Sequence, residues 1–263
     1  MSFNVRKCKI LSVTRAGKIE PSYTLNGSPL EHVGTFKDLG VIVDTKLSWR
    51  PHIDHIVKKA NRVCGMVKRS VGYNAPSNVK LQLYKTLCRP NIEYSSQIWS
   101  PYHKDSIKTL ESVQRSMSRY MLGTSDQSYP ERCEILNILP LSYRREIMDL
   151  SHLFKYLHGD IDVDYTSAIS LVNSDTTTNL RSSSHGPKLL RVHVNTETYK
   201  GFYFNRIVNM WNSLPSDITC CTSLRCFKAK LTVHYFNKLP YYSPNDTCTW
   251  TTVCRCQKCR GQN

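Results

Sequence analysis

Four cysteines, Cys248, Cys254, Cys256 and Cys259, lie within 12 residues near the end of the chain, interleaved with Arg255, Lys258 and Arg260. Four thiolates can complete a closed tetrahedral Zn²⁺ site. The neighbouring cations would favour the deprotonated sulfurs and could then touch phosphate. Cys256 and Cys259 have the two-residue gap of a usual ligand pair, whereas the single residue between Cys254 and Cys256 is less usual. Zinc in this tail is one expectation and a metal-free cysteine-rich tail is the other. Cys220, Cys221, Cys226 or His234 could supply a missing ligand. The close acidic cluster Asp160, Asp162 and Asp164 follows His158-Gly159. It reads as a solvated helix-ending turn, not as the paired carboxylates on a rigid platform that two-metal phosphoryl transfer needs. No Ser-His-Asp, phosphate-loop or His-Glu-x-x-His arrangement points to another enzyme class.

Charge suggests a partner. The 263 residues carry a formal net charge of +16. Residues 1–70 hold 13 Lys+Arg against 5 Asp+Glu, residues 71–179 hold 11 against 12, and residues 180–263 hold 12 against 3. Two basic ends flanking a neutral middle suit a polyanion, because each Lys or Arg that neutralises a phosphate releases a counterion. A basic protein with no nucleic-acid role is the bland alternative. Hydrophobic content of 40% is that of a globular protein. No apolar run of 18 residues predicts a membrane span, and Met1–Ile10 has no signal-peptide core. The expected compartment is nuclear or cytoplasmic. The 11 cysteines, without a secretory signal, argue against a disulfide framework.

These residues need elements to position them. Residues 5–45 read as strands and tight turns, with Asn26-Gly27 as a hairpin signal and Pro29 limiting its second arm to an edge. Leu39 to Val43 reads as a strand buried on both faces. From His52 to Ser70, Ile53, Ile56, Val57, Ala60, Val63, Cys64 and Val67 cluster on one helix face, with Lys58, Arg62 and Arg69 opposite. A second helix begins near Ser77, carries Leu81, Tyr84 and Leu87, and is ended or kinked by Pro90. A third spans about Asp105 to Leu122. Lys108, Arg115 and Arg119 lie opposite its apolar face, with Glu111 near enough to pair with them. A fourth follows Pro140. Residues 173–187 are polar and low in complexity, a linker or loop. Tyr199–Asn212 and Leu224–Leu239 each read as a helix. Tyr199, Phe202, Tyr203, Phe204 and Trp211, beside Lys200 and Arg206, could stack on unpaired bases or simply face a core.

Phe36-Lys37-Asp38-Leu39-Gly40-Val41-Ile42-Val43-Asp44, with Leu47-Ser48-Trp49 and His52-Ile53, resembles the segment just after the catalytic palm of reverse transcriptases from non-LTR (LINE-type, jockey-like) retrotransposons. Phe3-Asn4-Val5-Arg6-Lys7-Cys8 is similar to the family's "FN..KC" stretch. Further matches are Leu83-Tyr84-Lys85, Arg89-Pro90-Asn91-Ile92-Glu93-Tyr94, Trp99-Ser100-Pro101, Leu110-Glu111-Ser112-Val113-Gln114-Arg115, Tyr129-Pro130-Glu131-Arg132 and Leu141-Ser142-Tyr143-Arg144-Arg145. Phe204-Asn205-Arg206 with Trp211-Asn212-Ser213-Leu214-Pro215 and Phe227-Lys228 resembles its ending. Order and spacing over roughly residues 3–230 carry the resemblance.

The resemblance implies an α+β, mainly α fold. Residues 1–50 would be the β-rich end of a palm, with Phe36, Lys37, Leu39 and Gly40 in a primer-grip-like hairpin. Residues 51–165 would be the helical thumb and post-thumb region, 166–190 a polar linker, 191–240 a C-terminal helical region and 241–263 the cysteine-rich tail. The family's metal-binding aspartates lie upstream of Phe36, so no catalytic site is expected in this sequence. The expected function is that of a truncated RNA-directed DNA polymerase binding RNA, RNA–DNA or DNA duplex backbone without sequence preference. Lys58, Arg62, Arg69, Lys108, Arg115 and Arg119 would make the phosphate contacts. An ordinary solvated helix face is the alternative for each stripe. A standalone nucleic-acid-binding adaptor with a zinc tail and a non-functional remnant are the alternatives for the whole chain. No protein partner is indicated.

Overall fold

The computed structural model describes residues 4–13, 21–124, 126–162, 169–171, 188–190 and 196–242. The polar stretch 173–187, Asp164 and the cysteines of the tail lie outside them. The described residues are mainly helical, with short strands confined to the N-terminal part.

Asn26 and Gly27 both take positive φ, 51° and 71°. They close the expected hairpin between β2 (Thr24–Leu25) and β3 (Ser28–Pro29). β1 (Lys9–Ile10) runs parallel to β4 (Glu31–His32), reinforced by a Lys9–Glu31 ion pair. β5 (Thr35–Asp38) and β6 (Val41–Asp44) pair antiparallel, with Phe36 opposite Val43. The reading of 39–43 as one doubly buried strand is therefore corrected. Leu39 (φ 45°) and Gly40 (φ 91°) form the two-residue turn, and Leu39 is 84% exposed. Such turns need positive φ at both central positions, and the alternating apolar letters conceal this.

Asp44 accepts from the amide of Ser48 (2.8 Å) and from its hydroxyl (2.5 Å). This locks the turn that delivers the chain to α1 (Arg50–Val71). The buried face of α1 is the one its period predicts, joined by His52.

α2 (Ser77–Leu83) runs into a π-helical turn, Tyr84–Cys88, and then α3 (Pro90–Glu93). Of the two outcomes expected at Pro90, an end or a kink, the structure has the second: the helical path continues through a distorted turn and Pro90 opens α3. The Arg89 amide reaches back five residues to the Tyr84 carbonyl at 2.9 Å. The widened turn accommodates a proline that lacks an amide hydrogen. It points Tyr84 and Cys88 inward and leaves Leu87 43% exposed, not on the core face.

Two apolar clusters hold the molecule together. The first gathers α1, the π turn, α4 (Ser96–Trp99), α5 (Lys104–Leu122) and α6 (Tyr129–Ile135) around Trp99, Leu110 and Met117. The second lies among α7 (Leu141–Leu157), α9 (Tyr203–Asn212), α10 (Ser216–Thr219) and α11 (Leu224–Asn237). There Phe154 stacks on Phe227 at 4.5 Å. Leu141 belongs to the first cluster and Leu150 and Phe154 to the second, so α7 joins them. The helix expected over 199–212 is broken: α8 (Glu197–Lys200) stops before Gly201-Phe202. A Cβ on Gly201 would come 2.7 Å from Tyr102, so the chain at this break passes too close to the ring for a larger residue. Among the described residues no helix is long and apolar enough to cross a membrane.

Candidate nucleic-acid interface

The β5–β6 hairpin is fastened to the helices at two points. His52 of α1 accepts the Ile42 amide on Nδ1 at 3.2 Å and lies edge-on to Trp99, ring centroids 5.1 Å apart. Tyr94 donates its hydroxyl to the Leu39 carbonyl at 3.1 Å. The imidazole is 1% exposed. Burial first, then the nearby charges of His55 and Lys37, push its pKa down to about 4. Phe36 is half-buried, while Lys37, Leu39 and Gly40 are exposed at the free end of the hairpin.

Two contacts fix the relation of α1 to α5. Lys68 Nζ donates to Ser116 Oγ at 3.0 Å, and Tyr120 donates to the Gly72 carbonyl at 2.6 Å. Both are 48 residues apart in sequence, so the helices run side by side in the same direction. Their C-terminal ends therefore coincide. Lys80, 3% exposed, answers both: Nζ donates to Tyr73 O (2.7 Å) and Tyr120 O (3.5 Å), 4.8 Å from the Tyr120 ring. A cation suits the negative ends of two parallel helices.

Lys58, Arg62 and Arg69 are exposed on α1, and Lys108 and Arg119 are exposed on α5. Lys68, Tyr73, Ser116 and Arg119 line a shallow depression of about 410 Å³ where the two helices end. Lys68 and Tyr73, which is 75% exposed, are additions that sequence reading missed. Lys68 flanks the apolar face in sequence, and only the neighbouring helix brings it beside Arg119.

Arg115 does not join this surface. Its guanidinium lies over Tyr129, 5.1 Å from the ring centroid, and it is only half-exposed. Glu111 does not pair with the basic stripe either. It is fully buried and accepts from the Tyr129 hydroxyl, the Leu141 amide (2.9 Å) and the Ser142 amide (3.4 Å). It thereby caps the first turn of α7 from another helix. Gln114 continues the network, accepting from Tyr84 (2.8 Å) and donating to Tyr129 (2.9 Å) and the Leu139 carbonyl (3.0 Å). Glu111→Ala is expected to cost about 1–3 kcal/mol, the penalty of stranded buried donors, read as a lower denaturant midpoint. An unchanged midpoint would mean that the network contributes nothing to stability.

The aromatic segment divides. Tyr203 and Trp211 face the core, Tyr199 and Phe202 are half exposed, and Arg206 is buried, so it is not a stacking partner for bases. Asp160 and Asp162 are exposed in the turn after α7, as expected. Among the described residues no three His, Cys, Asp or Glu side chains converge as a metal site. The zinc expectation at Cys248, Cys254, Cys256 and Cys259 falls outside the described residues.

No family model matches the chain, and no solved structure matches it. Among curated proteins it is similar to the RNA-directed DNA polymerase from mobile element jockey of Drosophila funebris. Identity is 30% over 125 residues, covering 47% of this chain and 14% of that protein. It is 25% identical over 128 residues to a probable RNA-directed DNA polymerase from transposon X-element of Drosophila melanogaster, again 47% of this chain and 14% of that one. An uncharacterized protein of Caenorhabditis elegans is 27% identical over 137 residues, 50% of this chain and 68% of its own length. The match spans about 14% of the length of each polymerase.

Proposed function

For a chain related over about half its length to jockey-type retrotransposon RNA-directed DNA polymerases, we propose a role in holding duplex, not in joining nucleotides. The chain corresponds to the part of such a polymerase that follows the catalytic aspartates. Its hairpin at Phe36–Gly40 approaches the primer end, and the outer surface of α1 and α5 tracks the backbone of an RNA or RNA–DNA duplex. The observation that carries this reading is the parallel packing of α1 on α5. It leaves Lys58, Arg62, Arg69, Lys108 and Arg119 exposed on two adjacent helices. Contacts of this kind position a duplex without reading its bases.

The test is salt-dependent binding of an RNA–DNA hybrid, followed by fluorescence anisotropy. The logarithm of affinity should fall with the logarithm of salt, with a slope of about −0.9 per neutralised phosphate. Arg62→Glu with Arg69→Glu should flatten that slope by about two phosphate equivalents and weaken all sequences alike. A slope unchanged in the double variant would sink the assignment of this face.

A further inference from the structure

A second basic surface lies elsewhere, apart from the proposed duplex contacts. Two cavities of about 330 Å³ each share Arg144, Ile147 and Met148 and so form one groove. α7 supplies one wall through Arg144, Ser151 and Lys155, and α11 supplies the other through Lys228 and Thr232. The π turn and Arg89 bring Lys85 and Arg89 to one end. No lining residue is acidic. The nearest carboxylate that engages the groove is Glu93, and it already serves two cations: Arg144, with one contact at 3.0 Å, and Arg89 at 3.5 Å. Lys85, Lys155 and Lys228 have no carboxylate partner among the described residues. Ser151 is 5% exposed, and its Oγ is buried without a hydrogen-bond partner.

The cations are also spaced. Arg144 and Lys155 are 11 residues apart on one helix, about 16 Å at 1.5 Å per residue, with the apolar side chains of Ile147 and Met148 between them. A lone phosphate cannot reach both ends, but a short run of phosphodiesters can, laying sugars and bases over the apolar floor. Crowding of the cations points the same way. Lys85 is held below its usual range by burial, then by Arg89 and Arg144, and His152 by burial, then by Lys155. An anion relieves both.

We propose that the groove between α7 and α11 is a phosphate-binding site for a short single-stranded nucleic-acid segment, built separately from the α1–α5 surface. The common chemistry is phosphate held by Arg and Lys. A free nucleotide or pyrophosphate is the other source of that chemistry, and it would occupy one end only.

Binding of a fluorescein-labelled five-nucleotide RNA by the full chain, at low salt and with pyrophosphate as competitor, tests this. Lys155→Glu with Lys228→Glu alters groove-lining cations that hold no ion pair. It should weaken the short RNA about tenfold while leaving the salt slope for the RNA–DNA hybrid unchanged. Arg62→Glu with Arg69→Glu should do the reverse, so failure of the duplex face and failure of the groove are distinguishable. Competition by pyrophosphate as strong as by unlabelled RNA would identify the source as a free nucleotide and keep the site. Short-RNA binding unchanged in the Lys155 and Lys228 variant, with circular dichroism showing an intact fold, would overturn the proposal.

Discussion

Asp149→Ala is expected to destabilise the protein by about 3–5 kcal/mol, the cost of stranding a buried charge. For a chain of this size that lowers the melting temperature by roughly 10 °C. Asp149 and Arg206 are 2% and 1% exposed and meet at 3.0 Å. The guanidinium also donates to the Gly201 and Gln97 carbonyls, both at 2.8 Å. One side chain of α9 thus ties together α7, α4 and the break before α9. Without Asp149, the Arg206 guanidinium loses the carboxylate it meets in the interior.

The partner variant should behave differently. Burial lifts the Asp149 carboxyl to about 6, against the pull of Arg206 and then Arg145. When Arg206 is replaced by leucine, the carboxyl can escape its isolation by taking a proton. Its folded pKa lies above its unfolded value, so that stabilising contribution is present at low pH and lost as pH rises through the folded pKa. Arg206→Leu should therefore be markedly less damaging at pH 5 than at pH 7.5, whereas Asp149→Ala should show no such relief. Denaturant midpoints at the two pH values decide it, and equal losses for Arg206→Leu would exclude proton uptake by Asp149 as the source of relief.

Acid should act on the hairpin with the opposite sign. His52 is depressed to about 4 in the folded protein, against about 6.5 when unfolded. Its contribution is complete above pH 6.5 and is lost as pH falls toward 4, up to about 3 kcal/mol. Protonation of Nδ1 removes the acceptor for the Ile42 amide. The expected result is early loss of hydrogen-exchange protection at Ile42 between pH 6.5 and 4.5, ahead of amides in α5. His52→Phe keeps an aromatic ring against Trp99 but offers no acceptor. It should show weak Ile42 protection at every pH and lack the acid slope. Protection that persists at pH 4.5 in the parent protein would exclude His52 as the fastener.

Helices α1, α5 and α7 were legible because a 3.6-residue apolar period survives whatever packs on it. The Asn26-Gly27 hairpin was legible because its turn chemistry is local. The second hairpin was not, since Leu39 takes a positive φ that its side chain does not advertise. The π turn leaves no periodic signature beyond a proline. Of the basic stripes, exposure at Lys58, Arg62, Arg69, Lys108 and Arg119 agrees with the helical wheel. Arg115 and Glu111 do not follow it, because their partners are Tyr129 and the start of α7, 14 and 30 residues onward. Several residues that carry the family resemblance, Tyr94, Trp99, Glu111, Gln114 and Tyr129, form internal hydrogen bonds. That part of the pattern reports the scaffold, while the candidate contacts sit on less distinctive lysines and arginines.

The π turn at Tyr84–Cys88 makes this stretch intolerant of length change. Its hydrogen-bonded ring, Arg89 to Tyr84, encloses one residue more than an α-helical ring. Deleting exposed Thr86 or Leu87 would close the turn to ordinary α geometry, where the Pro90 ring meets the carbonyl four residues before it. The wide turn itself takes up the extra residue, so the segments on either side would keep their facing, with Arg89 at the groove and Tyr94 at Leu39. A single-codon deletion at either solvent-facing position should thus lower stability by about 3 kcal/mol through the proline, while leaving the hairpin fastened to the helices.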